Sequence, residues 1–323
     1  SSLLPIEAFQ IASTAVLTKK DLDVITGCAG PDEFIKYISL NSFRAKYFSK
    51  LIEEKRYGVS EFSSSLDSYL RDVQVAIIES SKAFLGLKSV LVALDELYDA
   101  FNSAVILNEL MNGVKPSIFI HAGKLYRDAY RELDKLTSVS GLSKILSNLG
   151  YRVLADLLVK KSNPIEYLLE VLRLSWFSEE DYLVKRLKAF TSDCIAIAIC
   201  LGGGRCSEVS IHSKGLTYED LRRALSAKSI NELAQALSGT PYNLFSQMLR
   251  DLLNLTEAMG ALQLSYAMYC ANLVVDMYDY LAPLKYYVLV LSSSIILRTL
   301  YTSLLSGVGL RELKEVILRW WPF

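Results

Sequence analysis

The chain repeats itself. Ile120-His121-Ala122-Gly123-Lys124-Leu125 returns 91 positions later as Ile211-His212-Ser213-Lys214-Gly215-Leu216. The same offset pairs Asp128 with Glu219, Ser138 with Ser229, Val139 with Ile230, Leu142 with Leu233, Leu146 with Leu237 and Tyr151 with Tyr242. Upstream, Ala100-Phe101-Asn102-Ser103 matches Ala189-Phe190-Thr191-Ser192 at offset 89, which leaves a two-residue insertion between. A third copy stands near the N-terminus, where Leu17-Thr18-Lys19-Lys20-Asp21-Leu22 matches Leu216-Thr217-Tyr218-Glu219-Asp220-Leu221. Offset 199 then pairs Glu33 with Glu232, Phe34 with Leu233, Ile38 with Leu237 and Phe43 with Tyr242. Repetition constrains a fold strongly, because each copy must be one supersecondary unit whose apolar face a neighbour covers.

The unit reads as helical. Prolines occur at 5, 31, 116, 164, 241, 283 and 322, with stretches of up to 84 residues between them that permit long helices. From Leu66 the apolar positions Leu70, Val73, Ile77 and Phe84, then Val90, Leu94, Leu97 and Phe101, keep helical spacing. Period-two alternation is scarce, and no Asn-Gly or Asp-Gly turn separates β-rich runs. Each copy reads as a long helix ending in a glycine loop (Asn112-Gly113; Gly202-Gly203-Gly204), then two short helices. Thr217 caps the first, with Asp220 three residues on, and Ser229 caps the second, Ile230 to Leu237, with Glu232 in its first turn. An aromatic closes the unit: Phe43, Tyr151 or Tyr242. The stretch Ser294 to Gly307 reads as a further long helix ending in glycine, and Gly309-Leu310-Arg311-Glu312-Leu313 echoes the segment from Gly215. This last long helix lacks a short-helix unit after it, and the first short-helix unit lacks a long helix before it. The two ends therefore read as halves of one split repeat, which predicts that Ser1 to Phe43 packs beside Tyr286 to Leu313. The expected divisions are residues 1–66, 67–158 and 159–250 as three repeats, with 251–323 closing onto the first.

Lys+Arg and Asp+Glu are equal at 35 each, which argues against nucleic acid as the main partner. Hydrophobic residues make up 51% and charged residues 22%, a shortfall of charge that reads as extra burial, in a core or against partners. The longest uncharged run, Ala258 to Val275, contains Gln263, Ser265, Asn272 and two tyrosines, and the run Tyr286 to Leu297 is bounded by Lys285 and Arg298. Both read as buried helices rather than membrane spans. Ser1 to Gln10 lacks the basic start and apolar run of a signal peptide. A soluble protein is the expectation, and Cys28, Cys194, Cys200, Cys206 and Cys270, with no CxxC pair, read as free, mostly buried thiols.

No constellation reads as a catalytic, cofactor or metal site. Leu201-Gly202-Gly203-Gly204-Arg205 has neither the Lys-Ser/Thr nor the preceding strand of a phosphate loop, and reads as the end of a helix. His121 and His212 occupy equivalent repeat positions, and neither belongs to a His-x-x-x-His or Glu-x-x-His cluster. A spacing of six puts Cys194, Cys200 and Cys206 on different faces of a helix. Glu53-Glu54 and Glu179-Glu180-Asp181 read as surface charge, since the Asp-Asp-x-x-Asp motif of helical isoprenoid synthases is absent. The 19 tyrosines read as buried or interfacial side chains with one wet end.

The stretch GLTYEDLRRALSAKSINELAQALSGTPY, ending at Tyr242, resembles the family formed by the C subunit of archaeal A-type ATP synthases and the d subunit of eukaryotic V-type ATPases. That family has a long helix, a short Leu-Ser/Thr-x-x-Asp/Glu-Leu helix, a second short helix and an L-x-x-T-x-Y ending, here Leu237 to Tyr242; the second copy ends Leu146 to Tyr151. The likeness covers most of the chain in three copies. The family's acidic, Asn-Leu and Arg marks on its long helices are matched only at Asn102 and Arg298. The resemblance implies an all-α funnel of three pseudo-repeated domains around a central socket. It implies a non-catalytic central-stalk rotor subunit, without cofactor, at the cytoplasmic face of a membrane. Its partners would be the central shaft subunits (D and F type) and the proteolipid ring, with torque passing between ion flow and ATP synthesis or hydrolysis. The other reading is an all-helical binding protein or enzyme with an internal pocket.

Overall fold

The computed structural model describes residues 5–83, 87–161, 163–173, 181–201, 215–308 and 310–323, and every regular element among them is helical. In chain order these are α1 (Pro5–Ala15), α2 (Lys19–Thr26), α3 (Pro31–Ile38), α4 (Ser42–Glu53), α5 (Val59–Ser81) and α6 (Leu87–Met111). Next come α7 (Lys124–Asp128), α8 (Tyr130–Leu133), α9 (Val139–Asn148), α10 (Arg152–Lys160), α11 (Pro164–Arg173) and α12 (Tyr182–Leu201). The last are α13 (Tyr218–Leu225), α14 (Ile230–Leu237), α15 (Asn243–Leu253), α16 (Ala258–Val274), α17 (Ala282–Leu305) and α18 (Leu310–Trp320). Two compact units divide the chain: Ser1–Lys88 with Leu237–Phe323, and Ser89–Ala236.

Local sequence explains where these helices begin and end. Thr18 accepts from the Asp21 amide while the Asp21 carboxylate accepts from the Thr18 amide, a complete capping box at α2. Thr217 accepts from the Asp220 amide at α13, 199 positions later. At α3 Glu33 reaches back to the Ala29 amide at 2.9 Å, and at α14 Glu232 reaches back to the Lys228 amide at 2.8 Å. Ser138 and Ser229 cap α9 and α14 by accepting from the amides of Gly141 and Glu232. Glycine follows the long helices α6 and α17. Gly113 and Gly307 take φ of +67° and +72°, and the following amides of Val114 and Val308 turn back to Glu109 and Ser303 carbonyls. The glycines at 202–204 and residues 211–214 lie outside the described residues.

In the first unit, α5 packs on α1, α4 and α17, and α17 packs in turn on α16, α1, α3 and α18. Its centre is an aromatic nest. Tyr301 of α17 stacks on Phe62 of α5 with centroids 3.8 Å apart, and Phe34 of α3 meets both rings edge-on. Burial of such rings dominates core energetics. The two chain ends interlock here. Leu17 donates to Ser293 Oγ at 3.0 Å, Lys19 to the Phe323 carbonyl at 2.8 Å, and the fully buried Trp321 indole to the Leu17 carbonyl at 2.8 Å. Further along, Phe9 meets Tyr286 edge-on, Arg298 pairs with Asp67, and the Tyr301 hydroxyl donates to the Tyr57 carbonyl. Ser1 to Leu4 lie outside the described residues.

The stretch Asp279–Leu305, which contains α17, is long and apolar enough to cross a membrane by length and composition, and 61% of its most apolar window is buried inside the protein. Its serines 292, 293 and 294 are buried: Ser293 accepts from Leu17, and Ser294 bonds back to the Leu291 carbonyl.

In the second unit α9 and α10 form a close helical pair, α10 packs on α11, α11 on α12, and α12 on α13. The first short helix of this copy is broken into α7 and α8 at Ala129, whose φ of −120° is not helical, whereas its counterpart α13 runs unbroken for 8 residues.

Candidate functional site

A concentrated polar feature in a largely buried setting grows from a single helix face. α6 is apolar over much of its length, yet Asp95, Asp99 and Asn102 recur on it at spacings of four and three, so they line one stripe, with Glu109 two turns further on. The chain leaves α6 at Gly113 and returns antiparallel along this stripe, and the four side chains grip it in order.

Glu109 accepts from the Ser117 amide at 2.7 Å and from its hydroxyl at 2.6 Å. Asn102, fully buried, accepts from the amides of Phe119 and Ile120 at 3.1 and 2.8 Å and donates to the Ile120 carbonyl at 2.9 Å. Asp99, also fully buried, accepts from the amides of Lys124 and Leu125 at 2.8 and 3.1 Å, which are the first two amides of α7. Asp95 takes both terminal nitrogens of the Arg127 guanidinium, an ion pair with side chains 5% and 4% exposed. The pair is bidentate, the geometry that best offsets the cost of burying two charges. Backbone amides along this return segment thus find acceptors on α6 side chains. Ser103, next on α6, shares a 2.8 Å hydrogen bond with the Tyr167 hydroxyl of α11.

Tyr151, the aromatic that closes this copy, donates from its hydroxyl to Asp99 Oδ2 at 2.6 Å. The Lys124 ammonium lies 4.9 Å from the centroid of the Tyr151 ring and donates to the Leu149 carbonyl at 3.2 Å. Gly123 makes the approach possible. Its φ is +94°, and a Cβ there would lie 2.3 Å from Asp99 Oδ1. Burial pushes the Asp99 carboxyl up to about 7. The Tyr151 hydroxyl and the two amides pull it down, and the neighbouring Asp95 charge pushes it up. Burial, with Asp99 beside it, raises the Tyr151 phenol far above its ordinary range.

The sequence signal for this site is present but distributed. Asn102 stands out as the one match to the family pattern on this helix, and Tyr151 as a repeat-closing aromatic. Asp95, Asp99 and Arg127 carry no such mark, although two acids and an asparagine on one face of an apolar helix are themselves the sign of a buried polar seam. The residue types of the seam are not repeated on α12. There the position 89 residues after Asp99 holds Lys188, 1% exposed, and Thr191 stands for Asn102. A cation cannot accept amide hydrogens. The closing aromatics Phe43 and Tyr242 meet the rings of Tyr69 of α5 and Tyr269 of α16.

The residues weighed for chemistry fall apart in space or outside the described residues. His121 is half-buried against the edge of Tyr126, centroids 5.4 Å apart. His212, Arg205, Cys206, Glu179 and Glu180 lie outside the described residues. Asp181 accepts from the Leu183 amide at the start of α12, and Glu54 pairs with Lys50 and Arg56 on the surface at the end of α4. Cys28, Cys194 and Cys270 form no disulfide. Cys200 corrects the expectation of five free cysteines: it is disulfide-bonded. The tyrosines divide: 98, 126, 167, 287 and 301 are fully buried, while 182, 218, 278 and 280 are exposed. A groove of about 330 Å³, open to solvent and lined by Glu219, Arg222, Arg223, Ser226, Ala227 and Glu232, carries charge of both signs. Among the described residues no three His, Cys, Asp or Glu side chains gather as a metal site would need. No protein-family model and no curated protein matches this chain.

Proposed function

We propose that this chain is a non-catalytic rotor subunit of an A-type or V-type rotary ATPase, which seats the central shaft on the membrane proteolipid ring and transmits torque between them. What supports the reading most is the recurrence of one capped helix pair. α2 with α3 and α13 with α14 are each eight residues long, and they stand 199 positions apart with the same threonine cap and the same back-reaching glutamate. α9 and α10 begin 91 positions before α14 and α15. Such agreement between local bonds and sequence offset is what a duplicated unit produces.

On this reading three such units, arranged as a funnel around a central socket, form the pseudo-repeated architecture. The interlocked chain ends of the first unit supply the split repeat. The buried seam of α6 is engaged internally: each Asp95 and Asp99 oxygen accepts from Arg127, Tyr151 or a backbone amide. That favours a stiff adaptor over a protein with an internal binding pocket. Localisation at the cytoplasmic face of the membrane, held there through the shaft and the ring, belongs to the same proposal.

The test is binding to the purified shaft heterodimer of the same organism. The expected result is a complex at low salt that weakens as salt rises, because association between charged surfaces is screened. A chain that binds neither shaft nor proteolipid ring at low salt contradicts the proposal and turns attention to a ligand pocket.

A further inference from the structure

α6 runs out into the chain's one Asn-Gly pair, Asn112-Gly113, and every other asparagine is followed by a residue that carries a side chain. Both members of the pair are exposed. Gly113 has a φ of +67°, and a Cβ added to it would meet nothing within 4 Å. The Asn112 carboxamide therefore has beside it a main-chain nitrogen that no side chain shields and that water reaches freely. Asparagine is chemically labile, and an unshielded following nitrogen is the group that attacks it.

Two hydrogen bonds hold the pair at rest. Asn112 Nδ2 donates to the Asn108 carbonyl at 2.7 Å, and the Gly113 amide donates to the Leu110 carbonyl at 3.2 Å. Both belong to the last turn of an exposed helix end, and such turns open at little cost in free energy. Two further bonds steady this turn. The Val114 amide donates to the Glu109 carbonyl at 2.8 Å, and the Glu109 carboxylate accepts from the Ser117 amide and hydroxyl.

We propose that Asn112-Gly113 is a self-modifying site, where the folded chain turns Asn112 into aspartate and isoaspartate at a rate that the Glu109–Ser117 clasp restrains. When the last turn opens, the Gly113 nitrogen gives its proton to solvent base and attacks Asn112 Cγ. The new Cγ–N bond closes a five-membered succinimide. The Cγ–Nδ2 bond breaks, and the nitrogen leaves as ammonia with a proton from water. Water then opens the ring at one of its two carbonyls. Attack at Cγ breaks the new bond and yields aspartate. Attack at the main-chain carbonyl breaks its bond to Gly113, and the chain then runs through Cγ as isoaspartate. The net change is one water consumed and one ammonia released.

Either product disturbs the end of α6. It sets a carboxylate at the negative end of the helix dipole and three residues from Glu109. The Asn108 carbonyl loses its donor. Isoaspartate also adds a carbon to the main chain, so the amides of Gly113 and Val114 no longer both fit their carbonyls. The return segment that begins here is thereby loosened from Glu109. The inference stands apart from the rotor reading and survives or fails without it.

The experiment incubates the full chain at mildly alkaline pH in water enriched in heavy oxygen. A second sample is held unfolded in denaturant, and both run until the unfolded chain has lost the amide at 112. Peptide mapping by mass spectrometry, with fragmentation that separates the two linkages, reads the result. The folded chain is expected to carry an acid at 112 as well, with heavy oxygen in it, in both linkages, and ahead of every other asparagine. A folded chain that keeps the Asn112 amide overturns the proposal, as does faster loss at another asparagine. Ser117→Ala removes the hydroxyl that Glu109 holds, and amide loss at 112 is expected to run about two- to tenfold faster, as one missing hydrogen bond implies. An unchanged rate overturns the part given to the clasp. Asn112→Asp imitates one product, and its Val114 and Ser117 amides are expected to lose protection from hydrogen exchange; unchanged protection overturns the loosening of the return segment.

Discussion

Gly123 is the residue on which the α6 seam turns. Its positive φ is one that side-chain-bearing residues rarely adopt, and a methyl group there would press on Asp99. Gly123→Ala is expected to cost about 1–3 kcal/mol from backbone strain alone, with displacement of the Asp99 carboxylate added to it. Urea denaturation checks this: the midpoint falls with the slope unchanged, and an unshifted midpoint contradicts the account. Trp321 plays a comparable part in the other unit. Its ring is fully buried and its indole holds the Leu17 carbonyl. Trp321→Ala is expected to cost about 3–5 kcal/mol, and Trp321→Phe only about 0.5–1.5 kcal/mol from the lost hydrogen bond plus a repacking term. Equal losses in the two variants, read from thermal unfolding, would show that ring burial is not what Trp321 contributes.

At the scale of elements, the caps are the part most readily read from sequence, because each is a bond across three or four residues. Thr18, Thr217, Ser138 and Ser229 are all marked by a hydroxyl residue before an apolar run, and each opens a helix where the spacing requires. Thr18→Ala and Thr217→Ala should each cost about 0.5–2 kcal/mol, with the Thr18 variant at the higher end because its capping box is complete. Amide exchange in α2 and α13 reports this directly; unchanged protection in both would refute it. Glycine ends at Gly113 and Gly307 are legible for the same local reason. The seam is not, because its partners come from far along the chain. Arg127 lies 32 residues from Asp95, and Tyr151 lies 52 from Asp99. The spacing of Asp95, Asp99 and Asn102 on an apolar helix marks a polar stripe, but what the stripe binds is settled only when the return segment is laid beside α6. The nest of Phe34, Phe62 and Tyr301 escapes a reading of periodicity for the same reason, since its rings come from opposite ends of the sequence. Repetition misleads at one place: α7 and α8 are separate where α13 is continuous, so the copies share spacing without sharing every turn.

At the scale of the whole molecule, equal numbers of acidic and basic residues, low charge and abundant tyrosine describe a protein with much surface to bury. The proposed rotor role gives that surface partners, and the interlocked ends and capped repeats give the stiffness that passing torque requires. Reconstitution of the ATPase without this chain is expected to leave ATP hydrolysis running while ion pumping is lost; pumping that persists at full rate would contradict coupling through it. The most direct measurement is isolation of the intact rotary ATPase from the organism's membranes in mild detergent, followed by identification of its components. The account predicts that this chain travels with the shaft and the proteolipid ring in fixed proportion to the shaft. Its absence from an otherwise complete and coupled enzyme would contradict the account.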